Sequence, residues 1–196
     1  LKGAGLSLGE LKEKGVVTGK QNPIYIEEGI DPIFMTPSGK IEFYSSQLKE
    51  KGFDPVPKYT PVEEPPDGYF RLLFGRAPVH TFGKTQSYRY LKDLMPENEV
   101  WINKNIAENF GLKSGDRIKL KNTEGTVTDP VLVKATERIR TDCVYMVHGF
   151  GQQSKALRST YKIGASDAQL TTNYKMDPIM GGTGMNINFV TIEKEA

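Results

Sequence analysis

The sequence has few of the residues that build disulfide-linked or metal-stabilised folds. Its only cysteine is Cys143, and its two histidines are His80 and His148. A single cysteine excludes an internal disulfide, a structural zinc site and an iron–sulfur cluster built by this chain alone. Because Val144 and Met146 beside it suggest a strand, we expect a buried and unreactive thiol. With no obvious carboxylate partner, the two histidines make a poor metal site.

Net charge and long apolar runs are also lacking. The net charge of +2 is too small to indicate a nucleic-acid partner or a membrane surface. No apolar run approaches the roughly 20 residues of a membrane helix, and no signal peptide pattern is present. The 196 residues suffice for one good-sized domain, or for one domain with a partly structured extension. Since the chain begins at Leu1 rather than Met, we expect it to be a piece of a longer protein.

The prolines are concentrated in one stretch. Residues 53–68 contain five of the twelve. Proline lacks a backbone donor and restricts φ, so this stretch predicts an extended connector rather than a helix or a strand. The sequence therefore predicts three parts, namely an N-terminal arm from a preceding domain over 1–52, the connector over 53–68, and a folded domain over 69–196.

The arm has too few apolar residues to form its own core. Ser7 followed by Glu10 fits a capping box, which predicts a short helix ending at Gly15. Residues 36–40 predict a tight turn into a strand at 41–43. The following segment, SSQLKEKG, predicts a second short helix that Gly52 stops.

After the connector the pattern is mostly β. Short apolar segments between turn signals predict strands at 69–74, 99–102, 117–121, 126–135, 143–147 and 188–193. Short helices are predicted at 87–94 and, after the N-cap Asn103, at 103–110. Residues 122–125 predict a hairpin turn. The fold class is therefore mainly β with short helices, and a small closed barrel is the architecture we predict.

Residues 70–86, FRLLFGRAPVHTFGKTQ, contain the densest group of hydrogen-bonding side chains. An apolar run ends at Gly75, and the polar residues that follow are Arg76, His80, Thr81, Lys84, Thr85 and Gln86. A buried strand that opens into such a loop fits a large polar ligand, because the strand anchors the loop and the loop supplies directed contacts. Ordinary alternatives stay open, with a surface ion pair for Arg76, a structural hydrogen bond for His80 and a solvated Lys84.

A second loop follows the strand at 143–147. Gly149 and Gly151 allow close backbone approach, and Gln152 and Gln153 can both donate and accept hydrogen bonds. The same glycines also fit a simple turn. The glycines of 181–184 are a weak phosphate signal because no clear helix follows them, and Asn173 and Asp177 each fit ordinary turn chemistry as well.

Three segments resemble one family. FMTPSGKIEFYSSQL (34–48) resembles the element that precedes the final domain of molybdopterin oxidoreductases of the dimethyl-sulfoxide-reductase family. WINKNIAENFGLKSGDRIKLKNTEGTVTDPVLV (101–133) is similar to the signature of that family's C-terminal double-psi β-barrel, and GRAPVHTFGKTQ (75–86) is similar to the start of the same domain. Within the family, these segments are most similar to those of thiosulfate/polysulfide reductase catalytic subunits, followed by those of arsenate reductases. The resemblance covers residues 34 to about 190.

The resemblance implies a cofactor, molybdopterin guanine dinucleotide (bis-MGD), with molybdenum or tungsten. The polar residues of 76–86 would meet the pterin and the phosphates, and those of 149–153 the pyrophosphate. Asp167, Asn173 or Asp177 would read the guanine edge. The family's iron–sulfur cluster and metal ligand belong to domains that this chain does not contain, so we assign it no catalytic and no metal-ligating residue and expect no activity from it alone.

The resemblance also implies partners and a reaction. These are the remaining domains of the same subunit, an iron–sulfur electron-transfer subunit and a membrane anchor subunit on the periplasmic side. The reaction would be the two-electron reduction of a sulfur compound such as thiosulfate or polysulfide, in anaerobic respiration. The alternative is a non-enzymatic double-psi barrel that binds a protein partner. Convergence of the loop residues, Arg76, His80, Gln86, Gln152 and Asn173, on one concave surface would favour the cofactor.

Overall fold

The computed structural model of the chain describes residues 3, 5–19 and 31–194. It contains two compact units, Leu1–Thr60 and Pro61–Ala196. The division between them falls inside the proline-rich stretch 53–68, which forms neither helix nor strand. The three-part division of the chain stays a prediction, and residues 20–30 of the predicted arm lie outside the described residues.

The first helix of the first unit, α1 (Leu8–Lys14), begins with the predicted capping box. Glu10 N donates to Ser7 Oγ over 3.1 Å, while Ser7 N donates back to the Glu10 carboxylate over 3.0 Å. These two bonds satisfy backbone donors that a helix start otherwise leaves free. The donors of Ser7 lower the pKa of the Glu10 carboxyl group. Gly15 ends the helix with φ of 71°, as predicted.

The second helix, α2 (Ser46–Glu50), is confirmed with Ser45 as its N-cap. The turn at 36–40 is also present, and Thr36 Oγ1 donates to the Lys40 carbonyl over 2.6 Å. The strand predicted at 41–43 is wrong, since these residues are irregular and no described strand pairs with them. A segment this short gains little without a partner strand.

A closed barrel of six strands forms the second unit, and two further two-residue strands form a separate hairpin. The barrel strands are β1 (Phe70–Gly75), β2 (Glu99–Asn103), β3 (Arg117–Asn122), β4 (Val131–Thr136), β5 (Cys143–Val147) and β8 (Phe189–Lys194); the hairpin strands are β6 (Lys175–Met176) and β7 (Thr183–Gly184). Around the barrel the order is β1-β5-β2-β4-β3-β8. The pairs β1–β5 and β2–β4 are parallel, and the other four are antiparallel. The mainly-β barrel is confirmed, whereas its double-psi crossing stays a prediction.

Helices in the second unit are short. They are α3 (Arg89–Leu94) and α4 (Lys104–Asn109), with 3-10 turns at Phe82–Lys84 and Asp167–Gln169. Asn103 caps α4 as predicted, because its side-chain oxygen accepts from Asn105 N over 3.0 Å. In the described part of the chain, none of the helices is long and apolar enough to cross a membrane.

The barrel core follows the period of two that strands impose on side chains. In β2, Val100 and Ile102 are fully buried, while Trp101 between them points to the outer face and is only partly buried. The inward residues of the six strands include Leu72, Val100, Ile102, Ile118, Leu120, Val131, Val133, Val144, Met146 and Val190.

The predicted strand 126–135 is partly wrong. Strand β4 begins only at Val131, directly after Pro130, which cannot donate to a ladder. Thr128, which precedes β4, is hydrogen-bonded to Leu120 of β3 through both its backbone and its side chain. Its backbone N donates to the Leu120 carbonyl over 2.9 Å, and its hydroxyl oxygen accepts from Leu120 N over 3.0 Å. A side-chain hydroxyl therefore takes the place of a backbone carbonyl in the ladder.

Candidate functional site

Two loops leave the same edge of the barrel. The first, residues 76–86, follows β1, and the second, residues 148–153, follows β5. Strands β1 and β5 are parallel neighbours, and Gly75 pairs with Val147 at their ends. Because both loops follow the carboxyl ends of adjacent parallel strands, they start side by side, as ligand-binding loops of open parallel sheets do.

Gly149 lies where the two loops touch. Its φ is +100°, and a Cβ there would lie 2.7 Å from Gly83 N and 2.8 Å from Phe82 C. The Gly149 carbonyl accepts from Gln86 Nε2 over 2.8 Å and from Gln152 Nε2 over 2.9 Å. Only glycine fits this junction, and two predicted ligand-binding glutamines meet at one backbone oxygen.

His80 belongs to the same junction but is buried, at 4% exposure. Its Nε2 lies 2.9 Å from the Met95 carbonyl and its Nδ1 lies 3.3 Å from Thr85 Oγ1. The ring also packs edge-on against Phe150, with centroids 5.6 Å apart. Both ring nitrogens therefore have protein partners, which favours a structural role for His80.

His148 has a partner that the sequence did not reveal. Its Nδ1 lies 2.7 Å from Asp167 Oδ2, and the Asp167 side chain is only 2% exposed whereas that of His148 is 38% exposed. The expectation that the histidines lack a carboxylate partner is therefore wrong for His148. No spacing rule identifies a partner nineteen residues away in the 3-10 turn 167–169. Among the described residues no group of three or more potential ligands could hold a metal ion.

Phe82 connects the two loops on the exposed side. Its ring contacts the His148 ring edge-on, with centroids 5.1 Å apart, and the Arg76 guanidinium lies 4.6 Å from the Phe82 centroid. Phe82 has φ of +49°, a conformation that costs energy for a bulky residue and is often found at functional sites. We name this group, Arg76, Phe82 and His148, the junction cluster. Sequence reasoning missed Phe82 and His148.

The remaining polar residues of the first loop have different degrees of exposure. Thr81 and Lys84 are exposed, and Thr85 is partly buried and accepts from Thr81 N over 2.9 Å. Neither Arg76 nor Lys84 forms an ion pair with a described carboxylate. Arg76 and Lys84 are therefore the cations of this loop that a ligand can reach.

The remaining residues of the second loop are held in several ways. Gly151, with φ of +72°, has no room for a Cβ because Ser166 N would lie 2.5 Å away. Gln153 is exposed, and its side chain reaches the Gly151 carbonyl at 3.3 Å and Asp129 at 3.4 Å. The loop is thus packed tightly at Gly151 and open at Gln153.

Asn173 and Asp177 lie further along the chain. Asn173 is exposed, and its backbone N donates to Asn188 Oδ1 over 2.8 Å. The Asp177 carboxylate accepts from Ile179 N and Met180 N, at 3.0 and 2.6 Å, so it closes a turn. The second half of the glycine-rich segment 181–184 forms strand β7. Of the predicted residues, Arg76, His80, Gln86 and Gln152 gather at the two loops, whereas the bonds of Asn173 go to Asn188.

Burial affects two titratable groups of β5. It raises the pKa of the Cys143 thiol, and the adjacent Asp142 carboxylate adds to that effect. It also raises the pKa of Tyr145, with the charge of Asp167 as a second cause. Cys143 is buried at 5% exposure, which agrees with the expected inert thiol.

The fold and this junction define a β-barrel domain in which two loops meet at the carboxyl ends of two adjacent parallel strands. Residues 70–189 match the family model of the Molydopterin dinucleotide binding domain. The chain belongs to this family.

Curated relatives of this chain are much longer than it is. The molybdopterin-containing thiosulfate reductase subunit PhsA of Salmonella typhimurium is 37% identical over 63% of this chain and 16% of the relative. The putative dimethyl sulfoxide reductase chain YnfE of Escherichia coli is 31% identical over 81% of this chain and 21% of the relative. The chain thus spans about a fifth of these relatives.

A solved structure shows the same fold. Acetylene hydratase from Pelobacter acetylenicus superposes with a TM-score of 0.71 at 23% identity, over 97% of this chain and 28% of that one. This likeness supports the fold and does not extend to the reaction.

Proposed function

We propose that this chain is the part of a molybdenum or tungsten oxidoreductase that holds molybdopterin guanine dinucleotide. The observation that carries the proposal is the junction cluster. It presents a guanidinium, an aromatic ring and an imidazole together, between two loops of a domain whose family binds this class of dinucleotide.

The chemistry of the accessible side chains fits such a cofactor. Its pyrophosphate is anionic and needs cations or backbone donors. Arg76 and Lys84 supply cations from the first loop, and His148 supplies a ring nitrogen whose orientation Asp167 restrains. Thr81 and Gln153 are also exposed, and we propose that they bond the pterin or ribose groups.

Other predicted contacts take an indirect role in this proposal. The side chains of His80, Gln86 and Gln152 are bonded within the protein and would position the loops. Guanine presents N–H donors, so an amide or carboxylate oxygen should read it. The Asp167 carboxylate is bonded to His148 and that of Asp177 to its own turn. Asn173 is exposed, and we propose that its side-chain amide oxygen accepts from the N–H groups of guanine.

When bound, the cofactor supplies the two-electron redox chemistry, and the protein contributes binding, orientation and electrostatics. We further propose a sulfur compound such as thiosulfate or polysulfide as the substrate, supported by the similarity to the thiosulfate reductase subunit PhsA. The remaining domains, an iron–sulfur subunit and a membrane anchor on the periplasmic side are proposed partners.

Arg76→Gln in the longer polypeptide tests this function. Loss of one charge-assisted hydrogen bond costs about 1.5–3 kcal/mol, so we expect cofactor affinity to fall about 10- to 100-fold. Metal and guanine nucleotide released per folded protein, after washing at low cofactor concentration, are the readouts. Arg89→Gln, an exposed arginine on α3, is the matched control and should retain wild-type content. Equal cofactor content in both variants would contradict the proposed site and would favour the protein-binding alternative.

A further inference from the structure

A second concave feature lies on the outer face of the barrel. This cavity has a volume of about 670 Å³, within the range of small-molecule sites. Its walls are three segments, 76–79 after β1, 94–97 at the end of α3, and 138–139 after β4. Apart from 76–79, none of these segments belongs to the two loops described above. We name this feature the outer cavity.

The floor of the outer cavity is a row of side chains in strand register. Leu73 pairs with Tyr145, Tyr145 with Trp101, and Trp101 with Lys134 across four adjacent strands. Because paired residues of neighbouring strands point to the same side of a sheet, these four side chains form one surface. The Trp101 and Tyr145 rings are 5.3 Å apart and tilted by 57°. The floor is therefore aromatic and apolar over most of its length.

Charged side chains at the outer cavity are unevenly neutralised. Glu99 pairs with Lys134 at 3.1 Å, and Glu97 pairs with Arg117 at 2.6 Å. Both carboxylates that line the cavity are thus neutralised. Two lining residues, Arg76 and Arg138, have no carboxylate partner among the residues that the structure describes. The Arg76 guanidinium lies against the Phe82 ring of the junction cluster, so Arg138 is the arginine that we assign to this cavity. The uncompensated charge at the cavity is therefore positive.

The aromatic floor and the unpaired Arg138 favour one kind of occupant. A planar aromatic ring stacks or packs edge-on against Trp and Tyr rings, and a carboxylate matches the planar fork of a guanidinium. A neutral aromatic compound would leave the Arg138 guanidinium without a partner. An aliphatic anion would satisfy the charge but would gain less from the two rings.

We propose that the outer cavity binds a small planar aromatic carboxylate, with its ring against Trp101 and Tyr145 and its carboxylate on Arg138. The contacts that define this site, on β2, β5 and the segment after β4, differ from those proposed for the dinucleotide.

The single tryptophan makes this proposal directly measurable. Trp101 is the only tryptophan in the chain, so the ¹H–¹⁵N spectrum contains one indole resonance. We would titrate the chain with 2-naphthoate and follow that resonance. The neutral analogue 2-naphthylmethanol and the non-aromatic cyclohexanecarboxylate are the matched probes. We expect saturable indole shifts with 2-naphthoate and at least about tenfold weaker binding of the other two.

Two variants locate the carboxylate. Arg138→Gln should weaken 2-naphthoate binding about tenfold or more, since it removes one charge-assisted bond. Arg140→Gln, two positions away and exposed with its own Asp142 partner, should bind like the wild type. A single dispersed indole resonance in each variant shows that the fold is retained.

Three results would overturn the proposal. The first is an indole resonance that does not move up to the solubility limit of 2-naphthoate. The second is equal binding of the acid and the neutral alcohol, and the third is an equal loss of 2-naphthoate affinity in Arg138→Gln and Arg140→Gln. Each can be separated from failure of the dinucleotide site, because no cofactor is present in the experiment.

Discussion

His148 Nδ1 donates to the carboxylate of Asp167 over 2.7 Å, and this bond connects the loop after β5 to the 3-10 turn 167–169. The carboxylate is almost fully buried, while the imidazole remains partly exposed against Phe82. A buried acceptor at Nδ1 fixes the ring orientation and directs Nε2 away from the carboxylate. The bond therefore presents one defined edge of the imidazole at the junction cluster.

The first prediction concerns the tautomers of the two histidines. His148 should carry its proton on Nδ1, facing Asp167, and His80 on Nε2, facing the Met95 carbonyl. Long-range ¹H–¹⁵N correlation spectra of the imidazole rings distinguish the two forms. In Asp167→Asn the preference of His148 should weaken, because an amide can accept or donate, while His80 serves as the internal control. Observation of the same tautomer for both rings in the wild type would contradict this assignment.

Gly149→Ala should destabilise the domain strongly. The substitution combines a left-handed φ of +100° with a Cβ 2.7–2.9 Å from the backbone of Phe82 and Gly83. Strain of about 1–3 kcal/mol and overpacking of about 1–3 kcal/mol predict a loss of about 3 kcal/mol in the free energy of unfolding. Gly125→Ala is the control, because Gly125 has φ of +90° with open space around it.

Urea unfolding measures both glycine variants. We expect Gly125→Ala to lose only the strain contribution. If the two variants lose the same free energy, the close approach of the loops at Gly149 contributes nothing to stability.

Asn98→Ala should be among the most damaging polar substitutions. Asn98 is fully buried, and its amide donates to the carbonyls of Val147 and Ala165 and accepts from Ala165 N. Removing the side chain leaves buried backbone groups unpaired, each at about 1–3 kcal/mol. We expect a loss of about 3 kcal/mol or more by chemical denaturation. Asn173→Ala, at an exposed position, should stay within about 0.5 kcal/mol of the wild type, and a similar loss in both would refute this account.

Stability should fall at alkaline pH, in part through Tyr145. Burial raises the pKa of Tyr145 in the folded state. The stabilising contribution of the neutral phenol is therefore complete below the unfolded pKa and is lost as pH rises through the folded pKa. We expect the urea midpoint to drop as pH rises above about 10, and Tyr145→Phe should reduce that drop. Parallel pH profiles for the two proteins would contradict the expected contribution.

Cys143 gives a second, independent readout of burial. Because burial raises the pKa of its thiol and hides it from solvent, alkylation by iodoacetamide at pH 8 should be at least about tenfold slower in the folded chain than in urea. Equal rates in both conditions would show that β5 does not protect this thiol.

Several elements could be predicted because their causes are local. The Ser7 capping box and the Asn103 N-cap depend on residues two or three positions apart. The strand 143–147 was predicted with its exact bounds, since an apolar segment between turn signals suffices to indicate it. The strand predicted at 41–43 was wrong because a strand also needs a partner, and local sequence does not supply one.

Sequence alone determined the mainly-β class, most strand positions, the family and the two loops that contain the candidate site. These depend on side-chain period, turn residues and spaced motifs, which are all readable along the chain. Only the tertiary structure decided which polar residues are accessible. Barrel closure places Gln86 and Gln152 on one carbonyl, buries His80, and brings Asp167 to His148. Such pairings join residues distant in sequence, so they exist only once parallel strands β1 and β5 bring their loops together.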